Sequence, residues 1–283
     1  MTIQWFPGHM AKARREAEEK LKLVDFVMEL VDARAPFSSQ NPMLQQLLHQ
    51  KPKMMVLMKK DLADPRETEK WIRYFKANDI PAVAINVNEK EDINEVIRLG
   101  KELSQAKMDR LKDKGIRPRP ARAMILGIPN VGKSSLINRL ANKKIAKIGD
   151  KPGVTKQQLW IKVKNDFELL DTPGILWPKF EDEQVGYRLA AIGTIKDKLL
   201  SMQDIVAFVI TYMQKHYPDQ LLERYAIRPE MEDMWEIFVS IGKQRGALES
   251  GGNVNFDKVS DLVIRDLRTG RLGNITLETP EQK

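Results

Sequence analysis

The 283-residue chain has no cysteine. That excludes disulfides, thiolate metal sites and cysteine nucleophiles, and it suits a reducing compartment such as the cytoplasm. Histidine is scarce as well. His9, His49 and His216 are too few and too scattered for a histidine metal cluster. No apolar run approaches the roughly 20 residues that a membrane-spanning helix needs. The first residues, Met1-Thr2-Ile3-Gln4-Trp5-Phe6-Pro7, lack the basic-then-apolar order of a secretory leader. A cytoplasmic protein without a membrane partner is therefore expected. No repeat or low-complexity tract interrupts the chain.

What is present is a globular composition long enough for two domains. The net charge of +8 is uneven: residues 1–177 carry 33 Lys+Arg against 22 Asp+Glu, and residues 178–283 carry 14 against 17. The positive field belongs to the first part, and a polyanion such as RNA is a natural partner for it. General solubility is the plainer explanation of the same charge.

Five short apolar runs read as buried parallel strands, because they are nearly continuous rather than alternating. They cover residues 26–31, 54–58, 82–85, 123–126 and 168–170. Helical patterns separate them at 10–24, 41–49, 65–77, 92–108 and 133–140. Asp64 is the expected N-cap of the third, with Pro65 in its first turn. This alternation indicates an α/β domain with a mostly parallel sheet over residues 1–177. The basic segment 107–122, broken by Gly115, Pro118 and Pro120, reads as a connector within it. After Pro178 the strand-like runs cease. Amphipathic segments at 182–193, 201–216, 218–224, 231–242 and 256–268 suggest an all-α domain over residues 178–283.

The strongest chemical signal is Gly127-Ile128-Pro129-Asn130-Val131-Gly132-Lys133-Ser134-Ser135, between an expected strand and an expected helix. Its glycines let backbone N–H groups wrap phosphates at a helix N-terminus. Val131, Gly132, Lys133, Ser134 and Ser135 are the expected phosphate-binding residues. Lys133 reaches the β- and γ-phosphates, and the Ser134 hydroxyl ligates Mg²⁺. The second signal is Asp171-Thr172-Pro173-Gly174. Asp171 holds Mg²⁺ through water, and the Gly174 N–H meets the γ-phosphate. Thr155, after Pro152-Gly153, is the residue expected to close over the metal. Together these favour a nucleoside-triphosphate switch over a phosphate-loop kinase.

At these motifs the chain resembles the translation-factor-related GTPases. Their base-reading Asn-Lys-x-Asp follows the DTPG segment, yet no such motif lies between residues 175 and 283. Met58-Lys59-Lys60-Asp61 lies upstream instead, and Ile85-Asn86-Val87 falls where a weaker base-contacting loop belongs. The order is that of a circularly permuted domain, which keeps its site when the original termini lie close together. With Trp5-Phe6-Pro7-Gly8-His9-Met10 and Asp32-Ala33-Arg34-Ala35-Pro36, the whole chain resembles the circularly permuted GTPases of the bacterial ribosome-assembly family, ribosome biogenesis GTPase A.

The resemblance implies a GTPase that hydrolyses GTP to GDP and phosphate and promotes late assembly of the large ribosomal subunit (50S). It also implies binding to that immature subunit and its rRNA, and a monomer is expected. Asp61 can accept two hydrogen bonds from guanine, and Lys59 can lie over the base. Met58 stands where the family has Asn and forms no strong hydrogen bond. Guanine affinity is therefore expected to be weaker by roughly 1–2 kcal/mol, with GTP still preferred over ATP. Ile175 follows Gly174 and cannot polarise water, so His9 is the family's water-orienting residue here. Asn130 is the position at which potassium-dependent relatives help hold K⁺. Catalysis is thus assigned to His9, Lys133 and Thr155, and Mg²⁺ to Ser134, Thr155 and Asp171. RNA contacts are expected from the 10–24 helix and from Lys243, Arg245, Arg265, Arg268 and Arg271. A nucleotide-binding scaffold on RNA with little hydrolysis is the alternative that Met58 and Ile175 leave open.

Overall fold

In the computed structural model, the structure describes residues 15, 18–42, 48, 51–117, 119–143, 160–163, 166–170, 182–195 and 200–282. Six strands form one sheet: β1 (Phe26–Asp32), β2 (Lys53–Met58), β3 (Ala82–Ile85), β4 (Ala121–Gly127), β5 (Trp160–Val163) and β6 (Phe167–Leu170). Their order across the sheet is β3-β2-β1-β4-β6-β5. All neighbours are parallel except β5 and β6, which are antiparallel.

β1 is buried along its full length. Phe26, Met28 and Leu30 enter one apolar cluster, whereas Val27 and Val31 enter two clusters on the other side. A strand buried on both faces gains nothing from polar alternation, which is why its sequence is nearly continuously apolar, Glu29 being the charged residue within the run. The edge strand β5 is different: Ile161 and Val163 are buried while Lys162 is exposed. That alternation, in a strand of only four residues, was not anticipated.

Helices connect or flank the strands, among them α1 (Pro65–Ala77), α2 (Lys90–Asp113) and α3 (Lys133–Ala141). The Asp64 carboxylate accepts from the Arg66 N–H at 2.8 Å, with Pro in the first turn, and so caps α1 as expected. Below that cap, Trp71 and Phe75 bury one face of α1. From β3, α2 carries the chain back across the sheet to β4 on the far side of β1. It touches β1, β2, β3 and β4 on the way. The strand order therefore reverses between β1 and β4, and in open α/β sheets ligands bind at the carboxyl ends of the strands at such a point.

The basic connector after α2 is held by one carboxylate. Asp25, 3% exposed, accepts from Arg119 Nη1 at 2.7 Å, from Arg119 Nη2 at 3.0 Å and from the Arg122 N–H at 2.8 Å. Lys107 Nζ lies 2.8 Å from it. Burial pushes this carboxyl up, but Arg119, Lys107 and the Arg122 N–H outweigh burial and bring its pKa down to about 2. A depressed carboxylate stabilises the fold above its unfolded pKa of about 4, and that contribution is lost as pH falls through about 2. Asp25→Asn should therefore cost about 2 kcal/mol at pH 7 and much less at pH 2.5. Urea unfolding of both proteins at the two pH values checks this, and an equal loss at both would contradict it.

After β6 the described chain is helical: α4 (Glu183–Ala191), α5 (Met202–His216), α6 (Pro218–Tyr225), α7 (Met234–Arg245) and α8 (Phe256–Arg268). α5 is the hub, touching α4, α6 and α8. The apolar core runs unbroken from Met28 and Ile97 under the sheet to Val209, Ile241 and Val263 among the helices. Beyond α8 the chain returns to the sheet. The Ile275 N–H donates to the Leu62 carbonyl at 3.1 Å, and the Leu277 N–H to the Arg34 carbonyl at 2.7 Å. Among the described residues no helix is long and apolar enough to cross a membrane.

Candidate functional site

The strand register sets the site. Asp32 pairs with Met58, Met58 with Ile85, and Leu30 with Gly127. The loops after β1, β2, β3 and β4 consequently open side by side at one edge of the sheet. They carry Arg34, then Lys59 and Asp61, then Asn86, then the phosphate loop.

The phosphate loop owes its shape to two glycines and an asparagine. A Cβ on Gly127 would lie 3.1 Å from the Leu30 carbonyl and 3.0 Å from Val131 Cγ1, so a side chain there would have to push β1 or Val131 aside, and glycine lets the loop leave β4 this close to β1. Asn130 has φ 58° and Gly132 φ 107°. These left-handed residues turn successive N–H groups toward one side, and asparagine tolerates that conformation better than most residues. α3 starts at Lys133, so Lys133, Ser134 and Ser135 form the first turn of a helix whose N-terminal N–H groups are aimed at the loop. Val131 is buried, and Lys133, Ser134 and Ser135 are half-buried.

The base loop is equally constrained. Lys59 is left-handed (φ 61°, ψ 41°), and a short 3₁₀ turn, Lys60–Leu62, follows it. Lys59 Nζ donates to the Asn130 carbonyl at 3.2 Å and to Asp32 Oδ2 at 2.9 Å. Asp61 is exposed. Met58 is buried, and its Cε lies 3.0 Å from where a Cβ on Gly132 would be, so it packs the end of β2 against the phosphate loop. Lys60 Nζ donates to Asp92 Oδ1 at 2.5 Å, while Asp92 Oδ2 accepts from the Asn86 N–H at 2.7 Å. One carboxylate at the start of α2 thereby ties both base-side loops together. Asn86 Oδ1 accepts from the Asn88 N–H at 3.0 Å, closing the second loop on itself.

Of the expected site residues, the structure brings Lys59, Asp61, Asn86, Asn130, Val131, Gly132, Lys133, Ser134 and Ser135 to this edge. His9, Thr155, Asp171 and Gly174 lie outside the described residues, as do Met10–Arg14 of the first basic helix. Three neighbours were missed. Asp32 and Arg34 form a buried pair behind Lys59, and the turn after α4 reaches the phosphate loop, where Asn130 Nδ2 donates to the Gly193 carbonyl at 3.3 Å. Arg268, expected on an RNA-facing surface, turns inward instead. Its guanidinium donates to the carbonyls of Ala190 and Ala191, at 2.6 and 3.0 Å, and caps α4. Arg265 and Lys243 are exposed. A cavity of about 670 Å³ lies between α4 and α5, lined by Tyr187, Phe208, Tyr212 and His216 among others. None of its lining residues belongs to the strand edge, so chemistry rather than volume marks the site.

The donors at this edge suit Mg²⁺, a hard cation that takes oxygen ligands and relies on few protein groups beside phosphate oxygens. Ser134 offers a hydroxyl at the start of α3. Among the described residues no cluster of three or more His, Cys, Asp or Glu forms a ready-made metal cage.

Comparison with known proteins agrees with this geometry. The family model described as 50S ribosome-binding GTPase matches residues 122–239. Over 282 residues the chain is 56% identical to Ribosome biogenesis GTPase A of Bacillus cereus, spanning 100% of this chain and 95% of that one. The chain belongs to the ribosome biogenesis GTPase A family. It is thereby a GTPase with a role in ribosome assembly, of a class that generally uses Mg²⁺. Mitochondrial ribosome-associated GTPase 1 of Mus musculus is 32% identical, over 97% of this chain and 90% of that one. Among solved structures, GNP-bound YlqF from Thermotoga maritima superposes with a TM-score of 0.66 at 26% identity. The match covers 95% of this chain and 99% of that one. The permuted strand order is thus a property this chain shares with its family.

Proposed function

We propose that the chain is a GTP-driven switch that binds the immature large ribosomal subunit and its rRNA, promotes late assembly, and leaves after hydrolysis. The observation that carries this reading is the convergence of the base loops and the phosphate loop on one strand edge, in a chain whose relatives bear the ribosome-biogenesis name. Residues 1–177 form the GTPase part and residues 178–283 the helical part, which takes part in RNA and ribosome binding. The chain acts as a cytoplasmic monomer.

In this reading the N–H groups of Val131 to Ser135 hold the phosphates, and Lys133 reaches the β- and γ-phosphates. Asp61 reads guanine, Lys59 covers the base, and Asn86 adds a weaker contact. Ser134, Thr155 and Asp171 would hold Mg²⁺, which would supply positive charge to the phosphates. Thr155 and the Gly174 N–H sense the γ-phosphate. His9 orients the attacking water, because Ile175 has no polar atom for that task. Asn130, whose side-chain amide donates to the Gly193 carbonyl, would help retain a K⁺ ion, which would offset transition-state charge.

One experiment covers these assignments: GTP turnover with and without purified large ribosomal subunits, in KCl and in NaCl, for the wild type and His9→Ala. Subunits should raise wild-type turnover by tenfold or more, on the order expected for completing a charge-stabilising site. KCl should exceed NaCl, and His9→Ala should lose most of the stimulation while keeping its affinity for GTP. No stimulation by subunits would favour the scaffold reading, to which Met58 and Ile175 lend weight. Equal rates in the two salts would remove K⁺, and unchanged stimulated turnover would remove His9.

A further inference from the structure

Behind the base loop lies a row of alternating charges, whose middle is the Asp32-Ala33-Arg34 segment. Asp32, the last residue of β1, is wholly buried. Its Oδ1 accepts from Arg34 Nε at 2.8 Å and from the Arg34 N–H at 3.1 Å. Its Oδ2 accepts from Arg34 Nη2 at 2.8 Å and from Lys59 Nζ at 2.9 Å. Burial alone would raise this carboxyl, but Arg34 and Lys59 hold it well below the usual carboxylate range, so it is charged. Arg34 is 2% exposed, and Asp61 adds a second negative charge acting on it. The row therefore runs Lys59, Asp32, Arg34, Asp61. Its two ends are the base-side residues, and its middle comes from another strand.

This arrangement is a poor device for stability alone. Among the described residues Arg34 Nη1 is buried with no hydrogen-bond partner. A buried ion pair that leaves a donor unmatched gains little over apolar packing. What the pair does accomplish is geometric. Arg34 is fixed by its fork on Asp32 and by a 3.3 Å bond from Nη2 to the Ile192 carbonyl. With the guanidinium fixed, the second carboxylate oxygen is fixed too. The Lys59 ammonium is then strung between that oxygen and the Asn130 carbonyl of the phosphate loop. Lysine has a flexible four-carbon stem, and without such anchors its head would sample water. Met58 next to it can pack on the phosphate loop but has no polar group with which to share the task.

We propose that Asp32 is a positioning residue for nucleotide binding, acting through Lys59, with Arg34 as its fixed counter-ion. The carboxylate holds the lysine stem in the place where it covers the base and ties the base loop to the phosphate loop before nucleotide arrives. Association then loses less side-chain freedom. This inference rests on the reading of Lys59 as a base-side contact.

The test is a double-mutant cycle on the full chain, read by the affinity for a fluorescent GDP analogue. Lys59→Met should weaken binding about tenfold, and Asp32→Asn about fivefold, as for loss of a charged contact and of its anchor. The double variant should bind no more weakly than Lys59→Met alone, because Asp32 has nothing left to position. If the two losses multiply, or if Asp32→Asn binds like the wild type, the proposal is overturned while Lys59 keeps its role. If Lys59→Met itself binds normally, the reading of Lys59 fails and the proposal with it. Asp32→Asn strips Arg34 of its charge partner and can cost folding. In that case the cycle is run with Asp32→Glu, which keeps the counter-ion but displaces the oxygen that holds Lys59. The same pattern of outcomes then decides.

Discussion

Lys133→Ala should abolish measurable GTP turnover and weaken GTP binding about 100-fold, while the unfolding temperature without nucleotide should shift by no more than about 2 °C. The separation of the two effects follows from what shapes the loop. Gly127 sets the close approach to β1, and Asn130 and Gly132 supply the left-handed turns. The helix behind begins with a backbone bond from the Leu136 N–H to the Gly132 carbonyl at 3.0 Å. None of these depends on the Lys133 side chain. In the proposed role the side chain would bring an ammonium to the phosphates, where charge-assisted bonds are roughly twice as strong as neutral ones. It would also offset charge that grows as the γ-phosphate departs, so turnover should fall further than binding. Lys133→Arg should recover little, because a planar fork does not replace a compact ammonium in a loop built around it. Calorimetric titration with a non-hydrolysable GTP analogue and a phosphate-release assay measure the two quantities. An alanine variant that binds GTP normally would remove the loop from the site.

The parts of this molecule that could be read from the chain are those whose cause is local. β1, β2, β3 and β4 are buried on both faces, so their apolar runs stand out, and each is followed by a motif at its carboxyl end. The permuted order was legible for the same reason, since it needs only the order of motifs along the chain. α2 extends to Asp113, past the expected end at 108, because its last charged turns need solvent rather than an apolar stripe. β5 was missed because four residues with one exposed lysine give almost no signal. What could not be read were contacts between loops distant in sequence. Nothing in Asp32-Ala33-Arg34 predicts that Lys59, 27 residues later, completes its charge pattern. Arg265 and Arg268 share a helix at a spacing that suggests one face, yet Arg268 turns to α4 because Gly193 leaves it room. A Cβ at Gly193 would lie 3.1 Å from Arg268 Nε. The segment Asn274-Ile275-Thr276-Leu277-Glu278-Thr279-Pro280 has only two apolar residues, Ile275 and Leu277, too few to mark an element. Its packing against β1 and the base loop is a tertiary fact.

That segment contains the residue with the largest expected effect on stability. Glu278→Ala should cost about 4 kcal/mol of unfolding free energy and weaken nucleotide binding as well. Glu278 is wholly buried. Its carboxylate accepts from the Phe37 N–H, from the Ser38 N–H at 2.9 Å and from the Ser38 hydroxyl at 2.5 Å, and Arg188 Nε lies 3.8 Å away. Burial pushes this carboxyl above the ordinary glutamate value even though Ser38, Phe37 and Arg188 pull it down. Alanine would take this acceptor from the buried Ser38 N–H and hydroxyl and from the Phe37 N–H, and would leave Arg188 without its counter-charge. Each unmatched group costs about 1–3 kcal/mol. Glutamine keeps an acceptor for the two N–H groups but offers Arg188 no charge, so it should cost about half as much. The loss should reach the nucleotide because the same short segment braces the base loop. Leu277 bonds the Arg34 carbonyl, Ile275 bonds the Leu62 carbonyl, and the Thr276 hydroxyl accepts from the Asp64 N–H at 3.1 Å. The Glu278 carbonyl also accepts from Trp71 Nε1 at 3.1 Å, which pins the segment to α1. Freeing this segment loosens the loops that carry Arg34, Lys59 and Asp61 together. Urea unfolding should show a lower midpoint with an unchanged slope, and GDP titration a severalfold weaker affinity. A variant within about 1 kcal/mol of the wild type would mean that the carboxylate does not anchor the chain end. Loss of stability with unchanged affinity would mean that the end supports the helices but not the base loop.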